Sequence, residues 1–319
     1  MTEFLIYLAT TGGIAAMLAL SLNLQYGLAG LVNLGQIAFF MIGGYVSAII
    51  VMLGGQTIAI GILGGTVAAA LFGILMALPT ARLRQDYWAI STLAAAEIVR
   101  LFFLNTAFGS PYFGQAFGID GIPQPYRRAF TEAGLTTSNY NLFYLGLVLV
   151  SLLAIFLILR WLAGTPFGRT LKAIREGDHV PLALGKKVSG FRLRAMAIGG
   201  AVGGFAGALF AHYNAFINPE YFVPIETFII WAMVILGGAG NFLGAVVGTV
   251  IITTIYNSTR FIASFASQRD LELTPIIGFI FEPRVLGPLR MVLIGLMILL
   301  VILYLPRGLV PERRRRYGR

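Results

Sequence analysis

Nine runs of mostly apolar residues, at about 4–23, 36–53, 58–80, 87–105, 140–160, 195–216, 225–239, 240–259 and 289–305, succeed one another along a 319-residue chain. A helix needs about 20 such residues to cross roughly 30 Å of hydrocarbon. Within lipid, every backbone N–H and C=O must be satisfied inside the fold, which leaves helices or a closed barrel. Runs of this length therefore predict an all-α, polytopic transmembrane bundle of about nine spans (range eight to ten), with 1–319 forming a single transmembrane domain. Composition agrees: 58% of residues are hydrophobic and 11% are charged, against about 25% charged in a soluble domain. The amino terminus has neither the basic region nor the cleavage site of a secretory signal, so its run reads as an uncleaved first span.

The net charge of +10 invites a nucleic-acid reading, but in a membrane protein basic residues are sorted by side of the bilayer. Eight of the 23 basic residues fall between Arg160 and Arg194, six lie between Arg307 and Arg319, and Arg82 and Arg84 share a short loop. All three stretches belong on the inner side, and an even number of spans separates each from the next. That parity places the amino terminus outside and the carboxyl terminus inside, and removes the case for nucleic acid. Two polar stretches, 106–139 and 260–288, then fall outside as loop with short interfacial helix or as surfaces for an external partner.

Two joints break the helical pattern. Residues 24–35 read LQYGLAGLVNLG and residues 237–241 read GGAGN, each at a depth where a continuous helix would otherwise run. Irregular backbone inside a membrane is tolerated where protein or a water-filled cavity satisfies it, and transporters place substrate against such breaks. A tight turn is the plainer alternative. Backbone N–H groups near Asn33, Gly35 and Gln36, or near Gly240 and Asn241, would suit a carboxylate at a helix start. Gly240, Gly244 and Gly248 share one helical face, where small residues let a neighbouring helix approach closely. LGQIAFF at 34–40 faintly echoes LGGAGNF at 236–242, too weakly to establish a duplication. Glu97 and Arg100, three apart within the fourth span, read either as an ion pair facing the bundle or as part of a pathway.

Residues 160–194 are too polar to cross lipid and too long for a turn. Thr165 and Pro166 suit a helix start, Leu171, Ile174 and Leu182 form an apolar stripe, and Gly185 can end the helix. A rigid amphipathic element between two spans fits a mechanical partner; it fits equally a helix resting on anionic lipid.

Several chemistries are excluded. There is no cysteine, and the two histidines, His179 and His212, lie too far apart for a paired-histidine metal motif. No catalytic side chain, no cofactor and no metal site is expected, and the absence of a GxxxxGK[ST] run removes that device for holding nucleotide phosphates. An ion-coupled transporter or channel would require charged groups at mid-membrane, for which Glu97 is the one plausible carboxylate.

The runs SLNLQYGLAGLVNLGQIAFFMIGGY, RLRQDYWAISTLAAAEIVRLFF, TPFGRTLKAIRE, GALFAHYNAFINPE and VILGGAGNFLGAVVG, with the ending LPRGLVPERR, resemble the branched-chain amino acid ABC transporter permeases, colinearly over nearly the whole chain. The resemblance implies a multi-pass protein of the bacterial inner membrane that imports branched-chain or related hydrophobic amino acids. It also implies a second related permease, two cytoplasmic ABC ATPases and a periplasmic substrate-binding protein as partners, besides membrane lipid. Permeases for urea, amides or aromatic acids look much alike. On this resemblance the polar segment is the ATPase-coupling helix. Phe167, Gly168, Arg169, Ala173, Ile174, Arg175 and Glu176 match the family pattern, as do Ala183, Leu184 and Gly185, whereas GDHVPL between them departs from it.

Overall fold

The computed structural model describes residues 2–80, 85–108, 115–268, 288, 292, 294–297, 299–300, 303–305 and 308–312. The loop holding Arg82 and Arg84, most of 260–288, and the basic tail from 313 lie outside the described residues, and the ninth run is described only in part, where it is helical.

The chain is a polytopic helical membrane protein. Its helices are α1 (Thr2–Leu22), continued by a π-helical turn over Asn23–Leu28, then α2 (Gln36–Met52), α3 (Ile58–Thr80), α4 (Gln85–Asn105), α5 (Arg127–Glu132), α6 (Thr137–Gly164), α7 (Pro166–Glu176), α8 (His179–Ala183), α9 (Val188–Asn214), α10 (Pro224–Gly237) and α11 (Phe242–Gln268). Five segments among the described residues are long and apolar enough to cross a membrane: Thr2–Leu28, Ile58–Pro79, Tyr87–Asn105, Thr137–Gly164 and Val188–Asn214. Large side chains such as Leu63, Leu75, Ile98, Val150 and Trp161 are more than half exposed on α3, α4 and α6, as expected of faces turned to lipid rather than water.

Packing divides the bundle into two groups bridged by α1. In one, α2, α3 and α9 all pack on one another, α3 against α9 most extensively; in the other, α10 and α11 form a hairpin beside α1, which also packs against α6. Contact within the first group runs through glycine: a Cβ at Gly43 would strike the backbone of Gly204, and one at Gly207 would strike the Phe40 carbonyl. The hairpin closes the same way, Gly237 against Gly244 and Gly248 against Met233, so Gly244 and Gly248 pack helix on helix, whereas Gly240 (φ 87°) lies in the turn before α11 and not on that face.

At one end of the bundle, α9 stops at Ala215 in a left-handed conformation (φ 57°). The chain then pairs a short strand, β2 (Phe216–Ile217), antiparallel with β1 (Ile119–Asp120), matching Ile119 to Ile217. His212 reinforces this end, with Nε2 2.9 Å from Ser47 Oγ and Nδ1 2.7 Å from the Pro123 carbonyl. Helix α7 and its neighbours lie at the other end.

One expectation needs correction. The seventh run, expected from its sequence to span, forms α10 of only 14 residues, about 21 Å at 1.5 Å per residue, short of the bilayer. Pro224 lies in its first turn, after the short strand β2 and a 3-10 turn over Pro219–Phe222.

Candidate functional site

Two features of the sequence, the broken joints and the polar segment, meet in the structure. Helix α1 does not end cleanly: it widens into the π turn, whose backbone then bonds forward from Gly30 N to the Tyr26 carbonyl (2.9 Å) and from Leu31 N to the Gln25 carbonyl (3.0 Å). π turns of this kind concentrate at functional sites. Residues 29–35 then fold back along α1. Gln36 donates from Nε2 to Ser21 Oγ at 2.7 Å, so α2 begins beside the last third of α1 rather than beyond its end.

Helix α10 begins at the same level, because the Thr227 hydroxyl accepts the Ile37 N–H at 3.2 Å. Two helices therefore start inside the protein, side by side, and run to opposite ends. A polar network holds this junction. Asn33 Nδ2 donates to Gln25 Oε1 (2.7 Å) and to Gln36 Oε1 (3.1 Å), Asn33 Oδ1 accepts the Gly35 N–H (2.8 Å), and the Asn33 carbonyl accepts the Trp231 indole N–H (2.9 Å). Thr92 of α4 closes it by accepting the Leu34 N–H at 3.0 Å. Ser21, Gln25, Asn33, Gln36, Thr92 and Thr227 are all fully buried; Asn33 and Gln36 are satisfied within the network and by backbone, whereas Gln25 bonds through Oε1 alone and its buried Nε2 has no partner among the described residues. Asn33, Gly35 and Gln36 thus stand together, while the Glu97 carboxylate is taken by Arg100 (2.5 Å) on α4.

Beyond the junction, toward the β1–β2 end, a cavity of about 330 Å³ opens between α1, α2, α9, α10 and α11. Ile14, Leu18, Phe40, Ile230 and Met233 contribute to its apolar walls, and Glu220, Glu226 and Tyr256 are among its polar groups. Its size falls at the low end of the roughly 300–1,000 Å³ typical of small-molecule sites.

The second joint lies at the α7 end and is bound to the first. The Asn23 side chain accepts the Gly240 N–H at 2.8 Å, and a Cβ at Gly27 would strike the Gly240 backbone. The sequence shows two separate breaks; the structure makes them one contact. Asn241 donates to the carbonyls of Val310 (3.1 Å) and Pro311 (3.3 Å), and its Oδ1 accepts the Leu243 N–H to start α11. The echo at 34–40 and 236–242 has no structural counterpart, since one segment begins α2 within the bundle and the other turns at its end.

Helix α7 packs on this joint. The Thr165 hydroxyl caps it by accepting the Gly168 N–H, and Pro166 supplies its first turn, the N-terminal chemistry that fixes a helix start. Gly168, Leu171 and Ile174 are buried against the bundle, and Phe167 stacks on Phe191 of α9 (centroids 5.6 Å apart). Arg175 donates to the Gly27 carbonyl and, at 2.9 Å, to Glu312, which also accepts from Lys172 at 2.6 Å. Burial pushes the Glu312 carboxyl up, but the hydrogen bonds from Lys172 and Arg175 outweigh it and hold the group below its ordinary value.

Arg169 and Glu176 face outward, as do Val180, Leu182 and Leu184. The helix stops at Gly177, not at Gly185 as expected, and Leu182 belongs to the separate helix α8 and is 55% exposed, so the apolar stripe ends at Ile174. Asp178 pairs with Arg192 at 2.8 Å and fastens α8 to α9. Thr92, Thr227, Trp231 and Glu312 were not singled out from sequence. Of these only Glu312 carried a signal, as the single acidic residue within a basic tail.

Comparison with known proteins agrees on one family. The family described as "Branched-chain amino acid transport system / permease component" matches residues 4–302. The high-affinity branched-chain amino acid transport system permease protein LivM of Salmonella typhimurium is 32% identical over 328 residues, covering 96% of this chain and 70% of that protein, and LivM of Escherichia coli matches equally. The permease protein LivH of Salmonella typhimurium is 26% identical, covering 86% of this chain and 94% of that protein. No solved structure matches the chain.

Proposed function

Because the chain belongs to the branched-chain amino acid transport permease family, we propose that it is one of two membrane-spanning subunits of an ATP-driven importer of branched-chain amino acids. It spans the membrane as a single transmembrane unit and is not itself an enzyme. Similarity to both LivM and LivH supports a second, related permease as its neighbour. Two cytoplasmic ATPases supply the energy and a periplasmic binding protein delivers the substrate.

The observation that carries this reading is the two-faced character of α7. One face is bound into the bundle through Leu171, Ile174 and Arg175; the other presents Arg169 and Glu176 beside exposed Val180 and Leu184. A helix so held can receive a push and cannot fold away from it. We place this end in the cytoplasm, where the basic residues between Arg160 and Arg194 belong, with the amino terminus outside.

On this reading the substrate enters through the cavity lined by Leu18, Phe40 and Ile230, whose apolar walls suit an aliphatic side chain. It then passes the junction of Asn33, Gly35 and Gln36 and leaves beside Gly240 and Asn241. The starts of α2 and α10 would meet its carboxylate with the positive ends of two helices. The junction amides bond one another in this conformation, so passage requires them to exchange partners.

The test is uptake into proteoliposomes holding this chain with its companion permease and both ATPases, the binding protein being outside. Labelled leucine, isoleucine or valine is expected to accumulate only when ATP is inside, and a competing panel of urea, amides and aromatic acids fixes the substrate. Accumulation by this chain alone, driven by an ion gradient, would overturn the proposal.

A further inference from the structure

The coupling helix is joined to the membrane breaks by more than its own packing. Residues 308–312 run along the α10–α11 turn: Leu309 N donates to the Leu236 carbonyl at 2.9 Å, Val310 N to the Gly237 carbonyl at 3.0 Å, and Asn241 returns two bonds to Val310 and Pro311. Gly308, in the left-handed region (φ 75°), lies so close to Gly238 that a Cβ would strike its backbone. The segment is therefore laid down on the turn, and it ends in Glu312, whose two carboxylate oxygens go separately to Lys172 and Arg175.

These contacts close a ring. Helix α7 reaches the π turn through Arg175 and Gly27; the π turn reaches the α10–α11 joint through Asn23 and Gly240; the joint reaches the carboxyl-terminal segment through Leu236, Gly237 and Asn241; and Glu312 returns to α7. Without Glu312 the ring is open, and Lys172 and Arg175, three residues apart on one helix face, repel each other.

We propose that Glu312 is a positioning residue that clamps the coupling helix to the α10–α11 joint, so that displacement of α7 reaches both membrane breaks together. The inference rests on α7 being the ATPase-coupling element. It assigns to the carboxyl-terminal segment the role of a strap, and to its one described carboxylate the role of fastening it.

The experiment uses the complete assembly in proteoliposomes and reads ATP hydrolysed per substrate imported, together with the yield of assembled complex. E312Q keeps the shape and one acceptor oxygen but loses the charge; it is expected to assemble, to hydrolyse ATP, and to import about two- to thirty-fold less substrate per ATP, the range of lost coupling contacts. The substrate concentration for half-maximal import is expected to stay unchanged, and E312D to recover most of the ratio.

Since the chain has no cysteine, K172C/E312C gives an independent arm. The open pair is expected to be uncoupled, and joining the thiols with a short bis-maleimide to restore coupling. A wild-type ratio in E312Q, a fall in import matched by a fall in assembly, or a bridged pair that stays uncoupled would each overturn the clamp. Failure of the unaltered assembly to import on ATP would instead overturn the transport reading on which the clamp depends.

Discussion

At Gly207 the fold depends on the absence of a methyl group. A Cβ there would run into the carbonyl of Phe40, and one at Gly200 would meet the Ala69 carbonyl, so α9 touches α2 and α3 backbone to backbone. In lipid, where hydrocarbon surrounds the helices on either side of folding, such close approach supplies much of the association. Gly207→Ala must push α2 and α9 apart and is expected to cost about 1–3 kcal/mol, the usual range for overpacking. Gly146→Ala, at an exposed position of α6 where no neighbour comes within 4 Å, is expected to be neutral or slightly stabilising. Thermal unfolding of the two variants in detergent separates them. The sequence shows that these glycines are spaced for packing but not which carbonyl each one meets, because the partner lies on another helix. The same limit hid Thr92 and Thr227. A threonine in an apolar run usually bonds its own helix, as Thr92 does at Ala89 (2.9 Å), and nothing local reveals that each hydroxyl also accepts a distant backbone N–H.

Among the elements, α7 was legible at its start and illegible at its end. Thr165-Pro166 is a local signal and set the start correctly. Gly177 (φ 156°) and Gly185 (φ 70°) each take a backbone conformation that suits glycine after a helix, Gly177 closing α7 and Gly185 following α8, so the sequence offers two stops without showing that two helices use them. Gly168 is the position most exposed to test, since a Cβ there would sit 2.5 Å from the Leu162 carbonyl and from Ala163. Gly168→Val is expected to open the α6–α7 elbow and to abolish stimulation of the ATPases while the bundle still inserts, measured by ATP hydrolysis and by recovery of the chain from membranes. Helix α10 shows the opposite limit. Its apolar run was found from composition, yet hydropathy gives length and not depth, and its depth is fixed by Thr227 meeting Ile37.

Across the whole molecule, the groups that gather at each end form two consistent sets. Ser47, Pro123, His212 and β1–β2 lie at one end; Gly27, Arg175, Gly240 and Glu312 lie at the other. The proposed orientation can be checked with single cysteines, for which the cysteine-free chain is a ready background. Gln56→Cys, in the exposed turn between α2 and α3, is expected to react with an impermeant maleimide on intact cells, whereas Lys186→Cys, exposed after α8, should react only once the membrane is opened. The reverse pattern would turn the molecule over. The joined breaks also bear on how firmly the resting protein holds back small ions. On the proposed route, with α2 and α10 both starting partway through, the watertight portion would be a thin diaphragm of interlocked amides and glycines rather than a long sealed tunnel. A diaphragm opens with a small stroke, at the risk that one loosened bond lets protons trickle across.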